Sequence, residues 1–358
     1  MKRILFFSLV AIMLSFSTWA QSNDSQDKRY MVLGVAFYNL ENLFDTINNN
    51  GKYDLEFSPE GAKKWDSEKY HAKLNNMAQA IASLATEVTP LGPAIIGVSE
   101  IENRSVLDDL VKNEQIKEWQ LQVIHHDSPD RRGIDVGLLY NPYYFEPLHV
   151  TNHTLVIDGD STFRTRDQMC VTGLLSGEKV SVIVNHWPSR LGGEQRSSHL
   201  REAAAALSKH IADSVWNVDP NQAVIIMGDL NDDPFNKSCS KILGAKKERK
   251  KVDEHGFFNP FWKTLDKGIG SLAYRGVWNL FDQIIISGNT LGGEQTGLNY
   301  LSHRVHNKDF LTQQDGKYSG YPLRTFSGVK FLNGYSDHYP TIVYFLKELT
   351  EKRGSRRK

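Results

Sequence analysis

The chain has 358 residues, of which 42 are basic and 42 acidic, so its formal net charge at pH 7 is +0. This balance excludes a general attraction to polyanions, and a nucleic-acid ligand would need a locally basic face with the acidic residues elsewhere. The length fits one large domain or two small ones. Because no linker rich in serine, glycine or proline divides the chain, we predict a single domain over residues 21–350.

The first twenty residues have the pattern of a secretory signal peptide. Lys2 and Arg3 precede an apolar run from Ile4 to Phe16, and Ala20 stands at a cleavage point before Gln21. The run is shorter than the roughly 20 apolar residues that a membrane-spanning helix needs. We predict cleavage, which lowers the basic total from 42 to 40 against 42 acidic residues, a net charge of −2. The mature protein is then expected to be exported, soluble and monomeric, in the periplasm or outside the cell, without stable membrane association or an evident protein partner.

Short runs rich in β-branched residues predict strands along most of the chain. Ser176-Gly177-Glu178 joins two of them closely enough for a hairpin. Two long polar segments, Asp45 to Lys64 and Gly292 to Leu323, are predicted as surface loops. The predicted strands are Val32 to Leu40, Ala94 to Val98, Gln120 to Ile124, Val136 to Tyr140, Met169 to Leu175, Val180 to Asn185, Ala223 to Met227, Ile284 to Ser287 and Thr341 to Phe345.

Two segments have the apolar spacing of helices that cover a sheet. One begins at Trp65-Asp66-Ser67, and the other begins near Ser197-Ser198. Hairpins beside helical crossovers predict an α+β fold in which two mixed sheets pack face to face with helices outside. The predicted buried faces are Tyr70, Leu74, Met77, Ile81 and Leu84 in the first helix and Leu200, Ala204, Leu207, Ile211 and Val215 in the second.

Two further features lie outside this pattern. Cys170 and Cys239 are the two cysteines, and the sequence leaves open whether they pair in an exported protein or remain two buried thiols. The basic residues 351–358 are predicted to form a disordered, solvated tail.

Carboxylates, amides and histidines stand at the ends of the predicted strands in six places. A buried charge is costly unless it is paired, so carboxylates beside core strands should share a cation or hydrogen-bond donors. Any one of them could be a turn or cap residue, but six together indicate a common site. Oxygen ligands without cysteine favour a hard cation, Mg²⁺ or Mn²⁺, with Ca²⁺ as a third candidate. The six sets are Asn39 with Glu41, Glu100, His186, Asp229 with Asn231, Asp282, and Asp337 with His338.

These positions resemble, in the same order, the motifs of the endonuclease/exonuclease/phosphatase superfamily. The resemblance extends from about Val32 to Phe345. Its most specific part is the pairing of Gly-Asp-X-Asn at 228–231 with Ser-Asp-His-X-Pro at 336–340. The superfamily includes pancreatic deoxyribonuclease, abasic-site endonucleases, neutral sphingomyelinases and inositol-phosphate 5-phosphatases. The resemblance implies a four-layer α/β/β/α sandwich with the site at one edge of the two sheets.

The resemblance also implies a catalytic role for five residues. Asp229 is similar to the residue that orients or deprotonates the attacking water, and Asn231 to the amide that holds phosphate or water. His338 resembles the histidine that donates to the phosphoryl oxygen, and His186 resembles one that assists the leaving group. Asp282 would accept from one imidazole and raise its pKa.

Metal and substrate contacts follow from the same resemblance. Glu100 resembles the principal metal ligand, with Asn39 close by and Asp337 as a further contributor. The metal would act as a Lewis acid on a phosphoryl oxygen and on the departing charge. For four further residues the sequence leaves two roles open, contact with the substrate or a structural position in a solvated turn or in the core. These residues are Arg132, Arg190, Tyr274 and Arg275.

The leading functional prediction is an exported, metal-dependent nuclease. A net charge of −2 opposes it, since phosphate binding usually depends on Lys and Arg. The alternative is a phosphodiesterase or phosphatase that acts on a lipid headgroup or a small phosphorylated metabolite. A 5-phosphatase is disfavoured because Asp232-Asp233 follows the 228–231 motif. A non-catalytic binding module on the same fold would be expected to lack Glu100, Asp229 or His338.

Overall fold

The fold is described from a computed structural model that covers residues 28–47, 56–292 and 296–349. The predicted signal peptide (1–20) and basic tail (351–358) lie outside the described residues, as does part of each predicted surface loop. All nine strands expected from the sequence are present. The strands are β1 (Arg29–Leu43), β2 (Ile95–Ile101), β3 (Gln122–His125), β4 (Asp135–Tyr140), β5 (Phe145–His153), β6 (Gln168–Leu175), β7 (Glu178–His186), β8 (Ala223–Asp229), β9 (Phe257–Phe258), β10 (Leu272–Tyr274), β11 (Val277–Asn279), β12 (Asp282–Ser287), β13 (Leu298–Val305), β14 (Phe326–Ser327), β15 (Lys330–Phe331) and β16 (Thr341–Leu349).

Two six-stranded mixed sheets form the centre of the fold. The first has the order β13-β16-β1-β2-β4-β3, and the second has the order β5-β6-β7-β8-β12-β9. They pack so closely that a Cβ atom on Gly97 of β2 would lie 2.5 Å from the Met227 sulfur on β8. Ser176 and Gly177 form the two-residue turn of the β6–β7 hairpin, as predicted, with φ values of 49° and 87°.

Side chains of the central strands alternate between the two faces of their sheet, as period-two geometry requires. On β8, Ile225 and Met227 face the core between the sheets, whereas Val224 and Ile226 join a second cluster that faces a helix. Helices therefore cover both outer faces, which confirms the four-layer α/β/β/α sandwich. The helices are α1 (Ser67–Ala82), α2 (Arg104–Val111), α3 (Glu194–Val218) and α4 (Phe261–Asp266).

Helix α1 begins where the sequence predicts, because the Asp66 side chain accepts from the Lys69 amide at 3.0 Å and caps the first turn. Helix α3 begins at Glu194, several residues before the predicted start. The predicted buried face of α3 was partly wrong, since Leu200, Leu207 and Val215 are only partly buried. The buried face instead carries small and hydrogen-bonded polar residues, which lie closest to the sheet: Ser197, Arg201, Ala204, Ala205, Ser208, Ile211, Ala212 and Trp216.

The prediction of an uninterrupted surface loop from Gly292 to Leu323 was wrong, because it contains β13, an edge strand paired with β16. A register shift between Tyr300 and Ser302 breaks the alternation of apolar residues, and the exposed face of an edge strand tolerates polar side chains. Cys170 and Cys239 are both buried free thiols, which decides between the two alternatives left open by the sequence. Within the described residues, no helix is both long enough and apolar enough to cross a membrane.

Candidate active site

Strand register brings three of the predicted residues into one row of the second sheet. His186 at the end of β7 pairs with Asp229 at the end of β8, and Asp229 pairs with Asp282 at the start of β12. The parallel pairing of β7 with β8 puts their carboxyl ends at the same edge, and the antiparallel β12 begins there. Residues far apart in sequence therefore lie side by side.

The first sheet contributes the facing group at the same end of the sandwich. Strands β1 and β2 are parallel and end near Asn39 and Glu100, while the antiparallel β16 begins after Asp337 and His338. The two halves meet where Asn39 Nδ2 donates to Asp229 Oδ2 at 3.1 Å. All six sets of polar residues noted in the sequence thus lie along this one edge of the two sheets.

Asp229 is the centre of the cluster. Its Oδ2 atom lies 3.6 Å from His186 Nε2 and 4.0 Å from His338 Nε2, and its Oδ1 atom accepts from the Asn231 backbone N–H at 3.0 Å. Burial, against the opposing charge of His338 and with the help of the nearby Asp282, raises the pKa of Asp229 to about 7. A carboxylate with a pKa near neutrality is well matched to accepting a proton from water.

His338 is held by Asp282, since its Nδ1 atom lies 2.6 Å from Asp282 Oδ2. That oxygen also accepts from the Ser271 hydroxyl at 2.5 Å, which fixes the carboxylate. Burial opposes a charge on His338, but the combined attraction of Asp282, Asp229 and Asp337 outweighs it and raises its pKa well above 6.5. His338 is therefore an imidazolium that can donate from Nε2.

His186 has the opposite electrostatic character. Burial lowers its pKa well below 6.5, and the guanidinium groups of Arg166 and Arg132 add to that effect. Its Nε2 atom faces two carboxylates, at 3.6 Å from Asp229 and 4.0 Å from Glu100. A neutral imidazole so placed can donate a hydrogen bond but is a poor acid.

The oxygen donors around Glu100 fit a hard divalent cation better than a softer metal. Glu100 Oε2 accepts from the Asn42 amide at 3.1 Å, and Glu100 Oε1 lies 3.4 Å from Arg132. Arg132 also donates to the Asn42 side chain, at 2.5 Å, so this arginine stands at the site as the sequence suggested. Asn39 presents an amide oxygen on the neighbouring strand, where it accepts from the Glu41 N–H at 2.9 Å.

A second group of possible metal ligands is defined by distance alone, because one ligand atom each of Asp229, Asp282 and His338 lie within 4.8 Å of one another. We do not favour it as the metal site. The raised pKa of His338 keeps that ring protonated, and a protonated ring repels a cation and has no lone pair for it.

Several residues at the site are held in left-handed backbone conformations that non-glycine residues rarely adopt. The φ values are 47° for Glu41, 54° for Asn42, 57° for Glu100 and 50° for Asn231. Such strain persists only where the surrounding structure over-determines it, and it clusters at functional sites. Gly228 has a φ of 155°, and a Cβ atom there would lie 2.2 Å from the Asn185 carbonyl oxygen, so only glycine fits before Asp229.

A buried ionic network behind the metal-ligand candidates was missed in the sequence. Glu41 lies 3.9 Å from Lys73 Nζ and 3.7 Å from Arg324 Nε, and Arg324 also pairs with Asp337. Burial raises the pKa of Glu41 to about 7, with Asp337 adding to the shift. Lys73 falls on the apolar stripe of α1 between Tyr70 and Met77, and a lysine on that stripe is a signal that could have been noticed.

Arg166 is another residue that the sequence did not indicate. It donates to the carbonyl oxygens of His186 and Trp187 at 3.1 and 2.7 Å and pairs with Asp130 at 3.1 Å. It therefore fixes the end of β7 that carries His186. The contact joins an arginine in a loop to the end of a strand twenty residues later, and no local sequence pattern predicts it.

Arg190, one of the substrate-binding candidates, has different surroundings from those expected. Arg190 donates to the Asn231 carbonyl oxygen at 2.9 Å and pairs with Asp232, Asp233 and Glu194 at 3.3, 3.4 and 3.1 Å. These carboxylates neutralise the charge of Arg190, so this arginine is not available as a phosphate ligand. The Asn231 side chain donates to the Trp187 carbonyl oxygen at 3.0 Å, which fixes its amide beside Asp229.

Tyr274 and Arg275 lie at the tip of the β10–β11 hairpin. Tyr274 is exposed, and the Arg275 guanidinium lies 5.1 Å from the centre of its ring. Both residues line a cleft of about 330 Å³ that also contacts Arg324 and Asp337. They therefore stand beside the cluster rather than within it.

Comparison with known proteins agrees with this fold. Residues 34–347 match the sequence profile described as the Endonuclease/Exonuclease/phosphatase family. None of the curated proteins matches the chain.

Solved structures with a similar fold cover most of the chain at low sequence identity. An endonuclease/exonuclease/phosphatase family protein from Bacteroides thetaiotaomicron has a TM-score of 0.53 and 16% identity, covering 90% of this chain and 97% of its own. D. rerio TDP2 complexed with a single strand DNA product has a TM-score of 0.51 and 14% identity, covering 88% and 98%. TDP2 from Caenorhabditis elegans has a TM-score of 0.52 and 12% identity, covering 88% and 74%. At these identities the likeness shows a common fold.

Proposed function

This chain belongs to the endonuclease/exonuclease/phosphatase family, and we propose that it is a divalent-metal-dependent nuclease that hydrolyses nucleic-acid phosphodiesters. The family is one of metal-dependent phosphodiester hydrolases. The observation that carries the proposal is the position of Asp229 Oδ2, within 4.0 Å of two imidazoles of opposite electrostatic character. Such an arrangement serves proton transfer and stabilisation of charge at one reacting centre.

Asp229 accepts the proton of the attacking water. Its pKa of about 7 leaves a substantial carboxylate fraction at neutral pH, with enough basicity to deprotonate water as the bond to phosphorus forms. The Asn39 amide and the Asn231 backbone N–H hold its two oxygens, so the carboxylate has a fixed orientation. As the bond from the water oxygen to phosphorus forms, the ester bond to the leaving oxygen breaks.

His338 and His186 stabilise the negative charge that develops. The imidazolium of His338, fixed by Asp282, donates from Nε2 to a phosphoryl oxygen. His186 is neutral and assists the leaving oxygen as a hydrogen-bond donor, and that oxygen takes its proton from solvent. Arg132, adjacent to Glu100, contributes a further positive charge at this edge.

Glu100 and Asn39 are the proposed ligands of the divalent cation, and Asp337 is a further one. All three are oxygen donors, which suits Mg²⁺ or Mn²⁺ and also admits Ca²⁺. When bound, the cation supplies Lewis-acid polarisation of the phosphoryl oxygen and neutralises the departing charge. The protein contributes the orientation of these donors through the strained conformation of Glu100 and the contacts of Asn42 and Arg324.

Support for a nucleic-acid substrate comes from the basic groups beside the cluster and from the similarity in fold to a TDP2 structure that contains a single strand DNA product. The net charge of −2 expected after cleavage is compatible with this because Arg275 and Lys317 line a cleft beside the cluster and form no ion pair within the described residues. The sequence pattern of residues 1–20 further supports an enzyme that acts outside the cytoplasm.

A substrate panel tests this proposal. Purified protein with Mg²⁺ or Mn²⁺ should cleave plasmid DNA, single-stranded DNA or RNA, and EDTA should stop the reaction. Sphingomyelin, inositol phosphates and bis-p-nitrophenyl phosphate are assayed beside them. Metal-dependent hydrolysis of only a lipid or a small phosphorylated metabolite would replace the nuclease proposal by the alternative considered from the sequence.

A further inference from the structure

The cleft of about 330 Å³ beside the active site lies between the tip of the β10–β11 hairpin and residues 313–324. Its volume is at the lower end of the range of about 300–1,000 Å³ for ligand pockets, so it suits one ring system rather than a folded polymer segment. Tyr274, Tyr318 and Tyr321 line it together with Arg275, Lys317 and Arg324.

The tyrosines contribute aromatic surface to the cleft. Tyr274 and Tyr318 are 62% and 45% exposed, so their rings are accessible to a ligand in the cleft. Tyr318 and Tyr321 have ring centres 5.8 Å apart with their planes at 43°. The Tyr321 hydroxyl accepts from the Gly276 amide at 2.7 Å, so the two walls of the cleft are joined by a hydrogen bond and their separation is fixed.

Positive charges accompany two of these rings. The Arg275 guanidinium lies 5.1 Å from the Tyr274 ring centre, and Lys317 Nζ lies 5.6 Å from that of Tyr318. Neither cation forms an ion pair with any other residue in the parts of the chain that the structure covers. Aromatic faces for bases combined with unneutralised cations for phosphates are the features by which proteins bind single-stranded nucleic acid.

The cleft is continuous with the proposed active site through Asp337. This residue lines the cleft, and its Oδ1 atom lies 3.9 Å from His338 Nε2. A base in the cleft would therefore belong to a nucleotide next to the cleaved phosphate. In a duplex both faces of each base are covered by its neighbours, so a base can enter between tyrosines only if it is unpaired.

We propose that this cleft binds one unpaired nucleobase, next to the cleaved phosphate, and gives the enzyme a preference for single-stranded or frayed substrates. The inference rests on the proposed nuclease function. The base stacks on Tyr318 and Tyr274, while Arg275 and Lys317 contact the phosphates that flank it.

Binding assays with base-free positions test the cleft. Fluorescein-labelled oligothymidylate, and the same chain with a base-free residue at each position in turn, are bound to an Asp229→Asn protein and followed by anisotropy. The Tyr318→Ala change is added to that protein, with Tyr318→Phe as the variant that keeps the ring. Tyr143, which is 75% exposed on the turn after β4, at the opposite end of the sheet, supplies a matched control, Tyr143→Ala.

Tyr318→Ala should weaken binding of oligothymidylate roughly 5- to 150-fold, the equivalent of one base stacked on an aromatic ring. The loss should shrink when the base at one position is missing, and Tyr318→Phe and Tyr143→Ala should bind like the parent. Equal effects of Tyr318→Ala on the intact and base-free chains, or no effect, would overturn the base site. If the wild-type protein binds with this tyrosine dependence but cuts no nucleic acid, the nuclease proposal fails and the base site stands.

Discussion

His338 Nδ1 lies 2.6 Å from Asp282 Oδ2, although 56 residues separate the two in sequence. Asp282 is fully buried and also accepts from Ser271, so its carboxylate faces the histidine in one orientation. The pair makes His338 a fixed cation beside Asp229, and it connects β12 of one sheet to the segment before β16 of the other.

Asp282→Asn should lower kcat by about 10²–10³ with little change in KM, because it removes the charge that keeps His338 cationic when negative charge develops on the phosphoryl group. Steady-state kinetics on the phosphodiester that the wild type cleaves fastest would measure this. Asp266→Asn, at a partly exposed surface pair with Lys247, is the matched control and should retain wild-type rates. A near-wild-type kcat for a folded Asp282→Asn protein would remove the pair from the mechanism.

Glu100→Gln should raise the Mn²⁺ concentration required for half-maximal activity, because it exchanges a charged oxygen ligand for a neutral one. Calorimetric titration of Mn²⁺ reports the same loss without catalysis. Asp127→Asn serves as control, since Asp127 belongs to another acidic group with His125 and Asp135 and is largely exposed. If Asp127→Asn weakened Mn²⁺ binding and Glu100→Gln did not, the assignment of Glu100 as the principal metal ligand would be wrong.

Gly228→Ala should destabilise the protein by roughly 1–3 kcal/mol, as for an overpacked core, and should displace Asp229. A Cβ atom at this position would collide with the Asn185 carbonyl oxygen at 2.2 Å. Gly159→Ala also places alanine at a positive φ, 82°, but has nothing within 4 Å of the new atom, so it isolates the backbone strain. Urea unfolding compares the two, and equal losses would show that the contact with β7 does not matter.

Stability should fall as the pH drops from about 6.5 towards 4, partly because of His306, which is buried, and His303, which is half-buried. Burial lowers the pKa of His303 to about 4 and that of His306 to about 3, with nearby cations adding to each shift. Both rings stay neutral in the folded state at pH values where the unfolded chain takes up protons, so acid favours unfolding. For each histidine that is protonated only in the unfolded chain, the free energy of unfolding should fall by about 1.4 kcal/mol per pH unit.

His306→Gln should flatten that pH dependence, and thermal unfolding followed between pH 4 and 7 would measure it. The glutamine can keep a contact with Ser83, whose hydroxyl lies 2.7 Å from His306 Nε2. Replacement of the exposed His199 by glutamine is the control. An unchanged slope in His306→Gln would show that this histidine is not responsible.

Much of the fold could be predicted because its central strands are buried on both faces and are therefore continuous runs of β-branched residues, as in Ala223 to Met227. The edge strands β5 and β13 were not predicted. One face of each is exposed, and their sequences carry His149, Asn152 and His303 among apolar residues. For α3 the predicted stripe followed the large aliphatic residues, whereas the closest approach to the sheet is made by alanines, serines and Arg201.

The polar residues at strand ends could be recognised because they follow apolar runs directly. Their partners could not, since a contact such as Glu41 with Lys73 depends on how α1 crosses the end of β1. The neutralisation of Arg190 depends on Asp232 and Asp233, which lie more than forty residues away in sequence. Long-range pairing of charges leaves no periodic trace in the sequence, and only the folded structure identifies which arginines are available to a phosphate.

The most direct test of the account is the hydrolysis rate of the Asp229→Asn protein with saturating Mg²⁺ or Mn²⁺, relative to wild type, on the phosphodiester that the wild type cleaves fastest. Circular dichroism and thermal unfolding confirm that the variant is folded. The account predicts a loss of roughly 10²–10⁴ in kcat, the usual contribution of a positioned general base. A folded Asp229→Asn protein with the wild-type rate would contradict it, because the cluster would then have no base at its centre.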